Sequence, residues 1–69
     1  MTVLDIMSFF DLKSKVIVYT DDGKSYSGII TGVENDFETD SGVDEIELDV
    51  GTHYFAIEVT DIVKIEKAD

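Results

Sequence analysis

Oxygen-bearing side chains recur along one stretch of this chain at a spacing that could hold a cation. Asp36, Glu38, Asp40, Asp44 and Glu47 stand at relative positions 1, 3, 5, 9 and 12 of a calcium-type loop. Such a loop wraps hard oxygen donors around the ion and needs a glycine at its sixth position for a sharp turn. Here the glycine is Gly42, at position 7, and the flanks pattern as strands instead of helices. A solvated acidic loop accounts for the same residues. No metal site is therefore assigned, and weak calcium binding by the Asp36–Glu47 segment is kept as an alternative. His53 is the one histidine. A general base requires an oriented partner and a substrate pocket, whereas a histidine beside a turn, opposite Val50, reads as a half-buried rim side chain. With no cysteine, no glycine-rich phosphate loop and no serine in a nucleophile setting, the expectation is a non-enzyme without a cofactor.

The most distinctive constellation is an acidic stripe made of Glu45, Glu47 and Asp49 with Tyr54 and Glu58. A solvated strand face would carry such residues, and so would a docking face for a basic protein. Glu45 opposite Glu58 would be a like-charge pair, which lowers stability a little and is relieved by a cation brought from outside. These five residues are the candidate partner-binding set.

Two hairpins must position that stripe. Gly51-Thr52 suits a two-residue type II′ turn with glycine in the first central position. Val50 then lies opposite His53, Leu48 opposite Phe55 and Ile46 opposite Ile57 on one face. Asp49 with Tyr54, Glu47 with Ala56 and Glu45 with Glu58 take the other. Period-two alternation and turn chemistry agree on this register. Upstream, Asp21-Asp22-Gly23 suits a type I turn closed by a left-handed glycine, placing Thr20 opposite Lys24, Val18 opposite Tyr26 and Val16 opposite Gly28. Gly28 and Gly32 allow the strand from Ser25 to Val33 to bend. Ile62 to Ile65 forms a last short strand, and Lys67 to Asp69 is expected to fray. At the N-terminus, Thr2 as cap, Asp5 in the first turn and Val3, Ile6, Met7 and Phe10 at helical spacing predict a helix over about residues 3–12 that docks as a lid.

At 69 residues the chain carries one domain and one small core. Sixteen acidic side chains oppose five lysines and no arginine, for a net charge of −11. Nucleic-acid binding needs cations to displace phosphate counterions. Lys13, Lys15, Lys24, Lys64 and Lys67 form no stripe, although Lys13, Lys15 and Lys67 would meet at one end of the fold. Tyr19, Tyr26 and Tyr54 could stack on bases, but they read better as wall residues of a barrel. No run of about 18 apolar residues is present to span a membrane, and no basic, apolar, small-residue leader opens the chain. A cytoplasmic location is expected.

A short helix followed by five strands, with Val16-x-Val18-x-x-Asp21-Asp22-Gly23 and a bent strand starting near Gly28, resembles the Sm-like small β-barrels; SH3-like barrels share the outline. The resemblance covers nearly the whole chain and rests on pattern. It implies a five-stranded all-β barrel over about residues 15–66, a glycine at Gly28, and following apolar positions at Ile30, Val33 and Phe37. The family's RNA-contacting Asp and Asn would fall on Glu34 and Glu38, and its Arg-Gly near Thr60-Asp61, so the base-stacking arginine is missing. The resemblance thus implies the fold more than the uridine pocket, and some acidic bacterial members bind a protein partner instead. The expected function is a small non-catalytic acidic interaction module or regulator that binds a protein partner, with a basic one suited to the acidic stripe and open edges that also permit a homo-oligomer. An RNA-binding Sm-like protein is the first alternative and a calcium-binding acidic module the second.

Overall fold

Val50 N donates to His53 O (3.1 Å), so the ladder of the second hairpin reaches the two residues that flank Gly51 and Thr52. In the computed structural model the described residues are 3–11 and 13–68, with Val3 and Leu4 described by backbone alone. The element order is α1 (Val3–Met7), β1 (Val16–Thr20), β2 (Ser25–Glu34), β3 (Glu45–Asp49), β4 (Tyr54–Glu58), a single 3₁₀ turn η1 (Val59–Asp61) and β5 (Ile62–Lys67). All strand pairs are antiparallel and form one five-stranded sheet in the order β4-β3-β2-β1-β5. The chain is all-β apart from the short helix.

Both hairpins keep the expected register. Ile46 faces Ile57, Leu48 faces Phe55, Val16 faces Gly28 and Val18 faces Tyr26. The turn glycines Gly23 and Gly51 sit at φ 85° and 100°, where a Cβ would clash with the backbone. β2 is shared between two neighbours: its first part, from Ser25 to Gly28, pairs with β1, and its second part, from Ile29 to Glu34, pairs with β3. Between Ile30 and Gly32 the register shifts, which leaves Thr31 as the extra residue of a bulge and adds twist to the strand. A second irregularity, at Tyr19/Thr20 against β5, leaves Val63 unpaired and 62% exposed.

Every strand contributes to the core: Val16 and Val18 from β1, Ile30 from β2, Ile46 and Leu48 from β3, Ile57 from β4, Ile62 and Ile65 from β5. Val16, Val18 and Leu48 are 0% exposed. A single sheet with one apolar face can bury side chains that completely only by curling over them. Each such side chain contributes about 1.5–3 kcal/mol relative to exposure. The curl stops short of a closed barrel, because β4 and β5 end the sheet on opposite sides and do not pair. η1 carries the chain from the β3 side to the β1 side, and β5 pairs along β1 instead of β4.

The helix is shorter than its apolar spacing predicts, ending at Met7 and not near residue 12. Side chains compete for its backbone: Ser8 Oγ donates to Asp5 O (2.9 Å), while Phe9 N and Phe10 N bond three residues back to Ile6 O and Met7 O. Asp11 then accepts from Ser14 N (2.7 Å), Ser14 Oγ (2.6 Å) and Lys13 N (2.9 Å), fixing a turn before β1. Among the described side chains of this short helix, Ile6 is fully buried and plugs the fold as expected of a lid, whereas Met7 is 48% exposed. Phe9 and Phe10 pack half-buried against the core. The expected cap at Thr2 and the Val3 side chain lie outside the described residues. At the other end, Lys67 belongs to β5, and Ala68 N donates to Lys15 O (2.8 Å), where fraying was expected.

Candidate functional site

Period-two alternation along β3 and β4 delivers the acidic stripe to one face. Asp49 is paired with Tyr54, Glu47 with Ala56 and Glu45 with Glu58. β2 extends the row, because Glu34 faces Glu45. Three glutamates, Glu34, Glu45 and Glu58, therefore stand side by side across three adjacent strands. The third member, Glu34, follows from the β2–β3 register, which the loop between those strands conceals in the sequence.

Three of the stripe's carboxylates are held by the protein itself. Ser41 Oγ donates to Glu45 Oε2 (2.7 Å), Thr31 Oγ1 to Glu47 Oε1 (3.0 Å) and Gly51 N to Asp49 Oδ1 (2.8 Å). The donors fix the carboxylates in position without supplying a counter-charge. Glu45, Glu47 and Asp49 are half-buried at their bases, whereas Glu58 is exposed and Tyr54 is 62% exposed. The result is a preset negative surface with one aromatic side chain at its end.

Curling of the sheet adds groups that sequence distance keeps apart. Asp21 N donates to Asp61 O (2.9 Å), tying the tip of the first hairpin to η1. Beside this link lies a recess of about 200 Å³, bordered by Tyr26, Asp21, Asp22, Asp61 and by Glu45 and Glu58 of the stripe. The Asp22 carboxyl is held below the usual carboxylate range, first by the hydroxyl of Thr20, which donates at 2.5 Å, and then by Lys24 N at 3.2 Å. Asp11 is held low in the same way by its Ser14 and Lys13 donors. A second, broader recess of about 420 Å³ lies at the opposite end of the stripe, where Lys15, Ile29, Asp49 and Val50 border it.

Lys67 is paired with Val16 on β1, next to Lys15, and Lys64 is paired with Tyr19. Two of the three lysines expected to meet at one end are thus brought together by β5. Lys64 forms an ion pair with Glu66, which raises its pKa, and it stands 5.8 Å above the Tyr19 ring. Lys64 and Lys67 thus lie on β5, whereas the glutamates Glu34, Glu45 and Glu58 stand on β2, β3 and β4 without an ion pair among the described residues.

Other candidates take different positions from those expected. His53 is exposed and not half-buried, because it stands on the hairpin tip beyond the last core pair. Its ring meets Phe55 edge-on at 4.6 Å, and its Nδ1 lies 2.8 Å from Thr52 Oγ1. Phe37 is 93% exposed, unlike Ile30 at 1%. Asn35 explains this: its side chain accepts from Phe37 N (3.1 Å) and its carbonyl from Glu38 N (3.0 Å), a local turn that directs the loop away from the core. Among the described residues, no group of three or more His, Cys, Asp or Glu is arranged to hold a metal ion, and Glu47 of the calcium-like spacing is engaged with Thr31 on the sheet. No helix among the described residues is long and apolar enough to cross a membrane. Comparison with protein-family models, with curated proteins and with solved structures finds no match for this chain.

Proposed function

We propose that this chain is a small, non-catalytic interaction module that docks a cationic surface of a protein partner on the outer face of β3 and β4. The observation that carries the reading is the cross-strand row Glu34, Glu45 and Glu58, continued by Glu47 and Asp49 beside the exposed Tyr54. Like charges placed directly opposite one another cost stability. A face that bears this cost while donors from Ser41, Thr31 and Gly51 fix its carboxylates is suited to recognising positive charge. The resemblance to Sm-like proteins that bind protein partners supports the same use, in a cytoplasmic setting. Self-association through the open sheet edges at β4 and β5 is the competing reading.

The test is affinity capture from the source cells with the wild-type chain and with a Glu45→Lys/Glu47→Lys variant, read by mass spectrometry. The expected result is a set of basic proteins retained by the wild type and lost with the variant. Unchanged capture ends the proposal. Retention of the chain on poly-uridine at moderate salt would favour the RNA-binding alternative, and a thermal shift much larger with calcium than with magnesium would favour the cation-binding one.

A further inference from the structure

β4 is the terminal strand of the sheet and pairs with β3 along one side only. Its other side presents a row of backbone donors and acceptors, the template for adding another strand. The acidic recess of about 200 Å³ lies along this edge, where Ala56, Ile57 and Glu58 form one of its borders. That volume is below the roughly 300–1,000 Å³ of small-molecule sites and suits one long side chain. Among the described residues, the carboxylates of Asp21, Glu58 and Asp61 have no hydrogen-bond donor or cation paired with them. Tyr26, half-buried, borders the same recess, and its ring is held by Phe55 at 5.4 Å between centroids.

We propose that the free edge of β4 takes an extended lysine- or arginine-bearing segment of a partner protein as an added strand, with one cationic side chain entering the recess beside Tyr26. This rests on the reading of the chain as a docking module for cationic proteins and specifies how the partner is held. Charge decides the occupant. A second copy would bring another net charge of −11 to the same edge, and Lys64 on its β5 is already neutralised by Glu66. A cationic segment supplies both the backbone ladder and the missing counter-charge.

Fluorescence anisotropy with a labelled octapeptide of alternating lysine and threonine tests the proposal, alongside the same peptide N-methylated at alternate residues. The intact peptide is expected to bind saturably, and N-methylation, which removes backbone donors, to weaken it about tenfold or more. A Glu58→Lys/Asp61→Lys variant is expected to lose about tenfold in affinity, whereas Asp36→Lys/Asp40→Lys, with the same change in net charge, retains most of it. Equal binding of both peptides, with loss on Glu47→Lys, overturns strand addition and leaves docking on the outer face standing. Absence of peptide binding while basic proteins are still captured does the same. Sedimentation equilibrium covers the remaining outcome: a self-associated chain that the peptide does not dissociate assigns the edge to a second copy and overturns the proposal.

Discussion

Asp22 shows how much of this protein's behaviour is set by single side chains at turns. Its carboxylate accepts from Thr20 Oγ1, whose residue is only 8% exposed, and from Lys24 N, so one ionised group fastens both sides of the first hairpin. Because these donors lower its pKa in the folded state, the stability it contributes is present above the unfolded carboxylate value of about 3.9 and is lost as pH falls through the folded value. Asp22→Asn is therefore expected to melt below the wild type near neutral pH. The gap should narrow as pH falls below the unfolded carboxylate value and close once the folded wild-type carboxylate is protonated as well. Thermal melts of both proteins across a pH series measure this, and a gap that persists in acid would contradict the assignment. The pairing of Asp21-Asp22-Gly23 with a hairpin turn was legible in the sequence because turn residues act on their own backbone. The Phe37 position was not, because apolar spacing cannot reveal that Asn35 turns the loop outward.

At the scale of elements, β2 holds the curvature. A Cβ built on Gly28 would overlap the backbone carbonyl of Asp49, so the close approach of β3 to β2 depends on the missing side chain. Gly28→Ala is expected to destabilise the protein by about 1–3 kcal/mol through a forced backbone shift, read as a lower denaturant midpoint. Glu45 makes the opposite case. Standing between Glu34 and Glu58, it is repelled from both sides. Glu45→Gln keeps an acceptor for Ser41 while removing the charge, and should stabilise by about 0.2–1 kcal/mol. A midpoint unchanged or lowered would show that the row carries no repulsion. The Ile46–Ile57 register was readable because a two-residue turn and period-two alternation both fix it locally. The helix boundary was not, since Ser8 and Asp11 redirect backbone bonds within a pattern that still looks helical.

For the whole molecule, charge is the dominant long-range quantity. A net charge of −11 on 69 residues opposes compaction, and the ion pair between Lys64 and Glu66 on β5 offsets little of it. Sodium chloride screens this repulsion over a Debye length of about 8–10 Å near physiological strength. The melting temperature is therefore expected to rise through a salt series, and to rise further with divalent cations. A flat or falling series would place the balance of charge elsewhere.

The alternation of apolar and acidic residues from Glu45 to Glu58, and the glycines that turn it, determined which side chains face inward before any fold was known, because pleat and turn geometry act between near neighbours. How far the sheet curls was decided by the tertiary structure. The β1–β5 ladder, which runs out to Thr20 and Ile62, brings the Asp21 hairpin tip to Asp61. Burying Val16, Leu48 and Ile65 in one shared core then brings both to β4, because the sheet must curl to cover them.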